Sequence, residues 1–191
     1  MSVDVRMENA RAIAEYASIP IAFRVESVVD VDALLASRGS RVESRTIARP
    51  CLKDYDAYPD NSPHRWATRF DLDRWGFFAA RIDGKRVGGA AVAARDGAIT
   101  ALDGHDDLAL LFDLRVDPSM RQRGVGRALL SAVVEWSAAR GTRRLLVETQ
   151  DINVPACRFY SKNGFVLDAA NGGAYPDLPD ETQLLWHRDI D

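Results

Sequence analysis

The chain has few cysteines, few histidines and no long hydrophobic run. Its two cysteines, Cys51 and Cys157, form no CxxC pair, which argues against a disulfide framework and predicts a reducing, cytoplasmic location. No apolar run approaches the ~20 residues of a membrane span, so no membrane partner is expected. The three histidines are isolated in the sequence, and no metal site is predicted.

The chain also lacks an excess of charge of either sign. It has 25 basic and 28 acidic side chains among 191 residues, a net charge of -3. This balance argues against broad binding to nucleic acid, and no such partner is expected. The hydrophobic fraction of 47% is enough for one globular domain over residues 1–191.

Hydrophobic periodicity and turn residues divide the chain into alternating strands and helices. The Asp83-Gly84 pair predicts a hairpin turn, and Pro50 begins a polar stretch that runs to about residue 73 and is predicted to be a functional loop. Helices are predicted over 5–17, 31–38, from 126 to about 140 and from 154 to 162, and strands over 21–29, 41–48, 76–82, 86–94, 108–116, 145–149, 165–167 and 182–187.

A glycine-punctuated basic loop connects the strand 108–116 to the helix that follows it. Arg121-x-x-Gly124-x-Gly126 places glycines where the backbone can approach a ligand, and Arg121, Arg123 and Arg127 add charge-assisted donors for phosphate oxygens. Together with the positive end of the helix, these residues could grip a pyrophosphate. The sequence matches neither the Walker A motif nor the dinucleotide GxGxxG motif. The alternative is a plain connection with solvated arginines.

The segment 121–126 resembles the acetyl-CoA pyrophosphate loop, Gln/Arg-x-x-Gly-x-Gly/Ala, of the GNAT superfamily of N-acetyltransferases. A second motif of that family is similar to Asn153-x-x-Ala156-x-x-Phe159-Tyr160-x-x-Asn163-Gly164-Phe165. The resemblance implies a mixed, mostly antiparallel α/β sheet of six or seven strands with flanking helices. It also implies that the strand 108–116 splays from the strand 145–149 to admit the pantetheine.

The resemblance further implies that three successive segments of the chain have different functions. Residues 1–107 would supply acceptor-site elements, 108–167 the acetyl-CoA-binding core, and 168–191 the C-terminal strands. The cofactor is expected to be acetyl-CoA, without a metal. Its expected contacts are Leu114, Arg115 and Val116 on the strand, Arg121, Gln122, Arg123, Gly124, Val125, Gly126 and Arg127 in the loop and helix, and Asn153, Ala156 and Phe159 in the second motif.

A narrower resemblance links two further segments to streptothricin acetyltransferases. Residues 147–160, from Val-Glu-Thr-Gln-Asp to Phe-Tyr, look like the corresponding stretch of those enzymes, and so does Pro50-Cys51-Leu52-Lys53-Asp54-Tyr55. The match suggests a small-molecule amine as acceptor, in the manner of a streptothricin-like antibiotic.

Acetyl transfer to an amine needs a neutral amine, donors to the developing oxyanion, an acid for the leaving thiolate and close positioning of both reactants. Tyr160 is the candidate acid, and a core tyrosine is its structural alternative. A backbone N–H of residues 114–116 is the candidate oxyanion donor. Asn153 could bond the pantetheine amides, cap its helix, or do both.

The general base is left open between two carboxylates. Many relatives carry an acidic pair in the strand 108–116, whereas this chain has Phe112-Asp113, so one carboxylate is absent. Asp113 and Glu148 are the candidates, and water could relay the proton. Strand alternation predicts that Asp113 faces away from Phe112 and Leu114. The alternative for both carboxylates is a structural role instead of catalysis. In that case we expect Asp113 to form an ion pair with a nearby arginine.

Several other features have an ordinary structural interpretation beside a functional one. Cys157 lacks a histidine nearby in the sequence, so a buried small side chain is favoured over a nucleophile. The acidic residues Asp103, Asp106 and Asp107 are favoured as a solvated loop over an attractant for cations. Three tyrosines could line an acceptor pocket or cover a sheet edge, namely Tyr55, Tyr58 and Tyr175.

The sequence therefore predicts an acetyl-CoA-dependent N-acetyltransferase that works by direct attack of the amine in a ternary complex. Two alternatives are kept: a protein or peptide N-acetyltransferase, and a non-catalytic acyl-CoA-binding sensor. A homodimer, common among relatives, is left open, and the acceptor is not identified by the sequence.

Overall fold

The computed structural model describes residues 2–58 and 60–190, and it divides into two compact units. The first unit is drawn from Met1–Ala22, Asp54–Leu145 and Ile190–Asp191, and the second from Phe23–Lys53 and Leu146–Asp189. Both units are discontinuous in sequence. Pro59, inside the predicted loop, lies outside the described residues. The division into one domain with three sections stays a prediction.

Five helices and nine strands are formed by the described residues. In chain order they are β1 (Asp4–Glu8), α1 (Ile13–Ala17), β2 (Phe23–Val29), α2 (Val31–Ala36), β3 (Ser44–Lys53), α3 (Pro63–Trp66), β4 (Gly76–Ile82), β5 (Lys85–Ala94), β6 (Leu108–Val116), α4 (Val125–Ala138), β7 (Arg144–Gln150), α5 (Val154–Lys162), β8 (Val166–Gly172) and β9 (Thr182–Asp189).

The first unit is built on four strands in the order β1-β4-β5-β6, each antiparallel to its neighbour. The turn between β4 and β5 uses Asp83 and Gly84, whose φ angles of 49° and 77° are both in the left-handed region. This confirms the predicted hairpin, because such turns need positive φ at both central residues. Helix α4 packs on β4, β5 and β6. A Cβ on Gly88 in β5 would lie 3.1 Å from Val125 of α4, so glycine permits this approach.

The prediction of a helix over residues 5–17 is wrong in its first part. Asp4–Glu8 is β1, which pairs with β4 from Asp4 opposite Arg81 to Glu8 opposite Phe77. Only Ile13–Ala17 is α-helical, and its single buried residue is Tyr16. Pairing with a neighbouring strand satisfies the backbone of this segment, and such tertiary contacts outweigh weak local helix preference.

The second unit contains β7, β9 and β8 in that order, together with a separate two-stranded ribbon of β2 and β3. The predicted loop at residue 50 is wrong at its start, because β3 continues to Lys53. Ser27 pairs with Thr46 and Val25 with Cys51, so β3 bulges between these two pairs. Pro50 lies within that bulge, where a strand tolerates a residue without an N–H.

The core of the first unit is an aromatic cluster. Trp66, Trp75 and Phe112 pack edge-on or tilted at ring-centroid distances of 4.7–5.8 Å, and Tyr16 adds a further contact with Trp66 at 5.7 Å. In the second unit the largest buried side chain is Trp186, which donates to Thr149 at 2.9 Å.

The four strands of one unit and three of the other confirm the predicted mixed, mostly antiparallel α/β class. The splay between β6 and β7 stays a prediction. None of the helices within residues 2–58 and 60–190 is long and apolar enough to cross a membrane.

Candidate active site

The loop before α4 presents a free helix end. Gly124 lies directly before the helix with φ of +84°, and apart from its chain neighbours no residue within 2–58 and 60–190 comes within 4 Å of the position its Cβ would occupy. The first backbone bond of α4 runs from Ala128 N to Gly124 O at 3.0 Å. The amides of Val125, Gly126 and Arg127 therefore have no acceptor within the helix, as is general for a first turn. These N–H groups could hold an anion at the positive end of the helix.

The arginines of this loop have two different roles. Arg121 is half-buried and donates to the carbonyl oxygens of Val116 at 3.2 Å and Ala22 at 2.8 Å. Burial lowers the pKa of Arg121, but the guanidinium stays charged. Arg123 and Arg127 are exposed. Arg121 thus shapes the loop, while Arg123 and Arg127 are available to phosphate oxygens. An open glycine, three free amides and two exposed arginines fit the diphosphate of coenzyme A.

Strand β6 contains a bulge beside Asp113. Asp113 pairs with Ala91 of β5, whereas Leu111 pairs with Val92, so Phe112 is an extra residue. The bulge interrupts the expected alternation. Phe112 packs on Trp66, and Asp113 accepts from Tyr16, which belongs to the same aromatic cluster. The next three residues, predicted to pair with pantetheine through their backbone, lie opposite Ala90, Gly89 and Gly88 of β5; they are Leu114, Arg115 and Val116.

Asp113 is held by a buried arginine. Arg115 donates from Nε to Asp113 Oδ1 at 2.9 Å and from Nη2 to Oδ2 at 2.7 Å, a bidentate pair. The Arg115 side chain is fully buried and that of Asp113 is 8% exposed. Tyr16 donates a further short hydrogen bond to Asp113. The alternative to a catalytic role for Asp113 was a structural role with an arginine as partner, and Arg115 is such a partner. The assignment of Asp113 as a general base stays a prediction.

Arg115 also binds a second carboxylate, which no sequence pattern had singled out. Its Nη1 and Nη2 donate to Asp56 at 2.9 and 3.2 Å, and Nη1 also donates to the carbonyl of Ile19 at 3.1 Å. Burial alone would lower the pKa of Arg115, but Asp113 outweighs it and the pKa is raised. Burial and the nearby Asp113 raise the pKa of Tyr16, so its hydroxyl stays a donor. Asp56 and Tyr16 lie 59 and 97 residues from their partners, and no local motif marks them.

Glu148 on β7 has a different environment, and it is exposed. Tyr175 Oη donates to Glu148 Oε1 at 2.6 Å, and Gln183 Nε2 donates to Oε2 at 2.8 Å. Gln150 Nε2 donates in turn to Tyr175 Oη at 2.8 Å. No basic side chain of the described residues forms an ion pair with Glu148. Its orientation is therefore fixed by neutral donors, and its charge is left for a ligand or solvent.

The second motif forms α5 and the turn after it. Asn153 caps the helix by accepting from Ala156 N at 3.2 Å, which confirms the predicted cap. Tyr160 is 6% exposed, and its ring packs edge-on against Phe159 at 5.2 Å and Phe165 at 5.1 Å. This packing is typical of a tyrosine in the hydrophobic core. The role of Tyr160 as the acid stays a prediction.

The structure also describes the surroundings of the other candidates, namely Cys157, the acidic residues before β6 and the tyrosines. Cys157 is fully buried, its sulfur lies 3.5 Å from Thr149 Oγ1, and burial raises its pKa to about 12. It is therefore a poor nucleophile near neutral pH. The three acidic residues before β6 are exposed, as is Tyr58, whereas Tyr55 and Tyr175 are half-buried. Within the described ranges, no group of three His, Cys, Asp or Glu side chains could hold a metal ion.

Residues 45–165, more than half of the chain, match the family model of the acetyltransferase (GNAT) family. The chain belongs to this family. The matched residues include Gly124 at the helix end, Asp113 and Arg115 on β6, Glu148 on β7 and all of α5.

Two curated relatives are streptothricin acetyltransferases. The chain is 36% identical over 93 residues to streptothricin acetyltransferase A of Bacillus subtilis strain 168, which covers 48% of this chain and 54% of that enzyme. It is 29% identical over 168 residues to the streptothricin acetyltransferase of Escherichia coli, which covers 86% of this chain and 84% of the relative. The chain thus spans about half the length of the Bacillus subtilis relative that it matches.

Solved structures share the fold at low sequence identity. A nourseothricin acetyltransferase superposes with a TM-score of 0.74 at 20% identity, and all of both chains is covered. A Bacillus anthracis protein assigned as a streptothricin acetyltransferase, solved in complex with acetyl coenzyme A, gives a TM-score of 0.76 at 20% identity with the same coverage. At these identities the likeness establishes the fold alone.

Proposed function

We propose that the protein is an acetyl-CoA-dependent N-acetyltransferase that modifies a primary amine of a small molecule, with a streptothricin-like antibiotic as the leading acceptor. The observation that carries the proposal is the open helix end at Gly124, where the first-turn amides have no acceptor within the helix and lie beside the exposed Arg123 and Arg127. The relatives named for streptothricin acetylation support this acceptor class.

Glu148 is the proton acceptor of the proposed reaction. An alkylammonium with a pKa near ~10.4 is mostly protonated at pH 7, and it must lose a proton before its nitrogen can attack. Glu148 is exposed and unpaired by any cation of the described chain, so it can bind the ammonium and take that proton. Asp113 is less suited, because Arg115 already binds both of its carboxylate oxygens.

Acetyl-CoA supplies the thioester whose C–S bond breaks as the new amide C–N bond forms. The ammonium nitrogen loses two protons in all, one before the attack and one as the amide forms, and the departing sulfur gains one. In this proposal Glu148 receives the first and passes it to solvent, the Tyr160 hydroxyl donates a proton to sulfur, and the second proton from nitrogen restores the Tyr160 hydroxyl. In the first unit, Arg123, Arg127 and the α4 amides are the proposed contacts of the diphosphate. In the second unit, the proposed contacts of the pantetheine are Asn153, Ala156 and Phe159.

Thermal unfolding with and without millimolar acetyl-CoA tests the binding step. The wild type should gain several degrees in Tm, because a ligand that binds only the folded state stabilises it. Gly124→Trp should lose this gain. Gly84→Trp is the matched control, since Gly84 also has a positive φ and open space around its Cβ position, and it should keep the gain. A wild type without any shift would refute the proposal.

Turnover is tested by coenzyme A thiol release with streptothricin, spermidine, an aminoglycoside and a lysine-containing peptide. Release with a small amine, confirmed by an increase in product mass of one acetyl group, is the expected result. Acetylation of the peptide alone would favour a protein N-acetyltransferase, and binding without any release would favour a sensor.

A further inference from the structure

The side chains around Glu148 form a directed chain of donors. Asn171 Nδ2 donates to Gln183 Oε1 at 2.9 Å, which turns the Gln183 amide nitrogen toward Glu148. On the other side, Gln150 donates to the Tyr175 oxygen, and the Tyr175 hydroxyl proton points to Glu148. Each carboxylate oxygen therefore receives one hydrogen bond from a neutral group, and both hydrogen bonds are charge-assisted.

Three other carboxylates of the same unit differ from Glu148 in one respect: a basic side chain lies beside each of them. Lys53 pairs with Glu181 at 2.5 Å, His187 lies 2.7 Å from Asp168, and Arg41 lies 3.1 Å from Glu43. Glu148 has an orientation as well defined as theirs, but no cation of the described residues compensates its charge. This combination suits a carboxylate that receives a cationic group from outside the protein.

Tyr175 lies in the connection between β8 and β9, and that connection is anchored near its end. Asp151 and Thr182 are joined by two hydrogen bonds: Asp151 N donates to Thr182 O at 3.0 Å, and Thr182 N donates to the Asp151 side chain at Oδ1 at 2.9 Å. The neighbouring Glu181 forms its buried pair with Lys53. Tyr175 itself is half-buried, and burial together with Glu148 raises its pKa, so the hydroxyl stays protonated.

We propose that Tyr175 and Gln183 are positioning residues that hold Glu148 ready for the ammonium group of the acceptor, and that this assembly selects primary amines that arrive protonated. This inference rests on the proposed function. Fixing a carboxylate before the substrate arrives removes the rotamer entropy that binding would otherwise cost. A free exposed glutamate would sample several rotamers, and few of them would meet the amine.

A double-mutant cycle tests the inference, with Tyr175→Phe, Glu148→Gln and the combined variant. Amine affinity is measured by calorimetry with streptothricin and spermidine, and KM and kcat are measured with the same amines. Tyr175→Phe should weaken amine binding about tenfold, the loss of roughly one charge-assisted hydrogen bond. It should leave the acetyl-CoA-induced rise in Tm unchanged. In the Glu148→Gln background the same change should have little further effect, because Tyr175 acts through Glu148.

Two controls separate positioning from folding. Glu43→Gln removes another exposed carboxylate of the same unit and should bind amines like the wild type. Gln183→Ala should reproduce the direction of Tyr175→Phe with a smaller loss. Equal amine affinity in wild type and Tyr175→Phe would overturn the inference, as would additive effects in the cycle or a wild type that binds neither probe. A missing acetyl-CoA shift in the wild type would instead refute the proposed function.

Discussion

The carboxylates Asp113 and Glu148 were equal candidates in the sequence, and the structure gives them opposite surroundings. Asp113 is buried, and Arg115 binds both of its oxygens while Tyr16 adds a third hydrogen bond. Glu148 is exposed and is held by the neutral groups of Tyr175 and Gln183. One negative charge is thus compensated within the protein, and the other is not.

This difference assigns distinct physical roles to the same chemical group. A carboxylate in a buried ion pair contributes to the integrity of the fold, because removal of one partner leaves an uncompensated charge in a poorly solvated place. A carboxylate that is oriented but unpaired can exchange water for a cationic ligand at little cost. We therefore expect changes in the Asp113 cluster to act on stability and changes at Glu148 to act on turnover.

The largest expected effect is on stability. Arg115→Met should lower the free energy of unfolding by about 3 kcal/mol or more, because it leaves Asp113 and Asp56 without their common cation. The measurement is urea-induced unfolding followed by circular dichroism. Arg6→Met is the matched control, since Arg6 pairs with Asp4 on the surface and should contribute less than about 1 kcal/mol. Similar losses in both variants would break the distinction between buried and exposed pairs.

Glu148→Gln should have the next largest effect, and it should be on catalysis. Loss of a general base typically costs a factor of ~10² or more, so we expect kcat with the best amine to fall about a hundredfold. The free energy of unfolding should stay within about 0.5 kcal/mol of the wild-type value, because the side chain is exposed. Steady-state thiol release and urea unfolding measure the two quantities. Unchanged kcat would show that the amine loses its proton elsewhere.

Asp113→Asn tests whether the other carboxylate acts mainly on stability. The substitution keeps the shape of the side chain but removes its charge, and the amide nitrogen faces the donors of Arg115. We expect a loss of about 1–3 kcal/mol in unfolding free energy, the usual cost of a broken buried hydrogen bond. The kcat of the folded fraction should change less than tenfold. A hundredfold fall in kcat with unchanged stability would identify Asp113 as the base.

Local patterns predicted the elements that position the cofactor loop. The strand over 108–116, the basic glycine loop and the helix after it could be recognised because chain neighbours form them. The cap at Asn153 and the turn at Asp83-Gly84 follow from the same short-range chemistry. Strand β1 was missed, since its hydrogen-bonding partner is β4, more than sixty residues away.

The environments of the two carboxylates could not be predicted in the same way. Which of them meets an arginine depends on contacts such as Asp56 with Arg115 and Tyr175 with Glu148, which join residues distant in sequence. The extra residue in β6 also disturbs the simple alternation from which the facing of Asp113 was inferred. The sequence therefore offered both carboxylates as candidates without separating them, and the identity of the base stays a prediction.

The smallest expected effect concerns a third ionisable group, Cys157, whose burial raises its pKa to about 12. The folded protein holds the thiol proton above pH 9, where an unfolded chain releases it, so this contribution to stability is complete below pH 9 and is lost as the pH rises toward 12. Between pH 8.5 and 10 the wild type should lose roughly 1 kcal/mol of unfolding free energy that Cys157→Ala does not lose. Cys51→Ala should follow the wild type, because Cys51 is exposed. Equal slopes for wild type and Cys157→Ala would mean that water reaches this thiol in the native state, which its contact with Thr149 beneath α5 argues against.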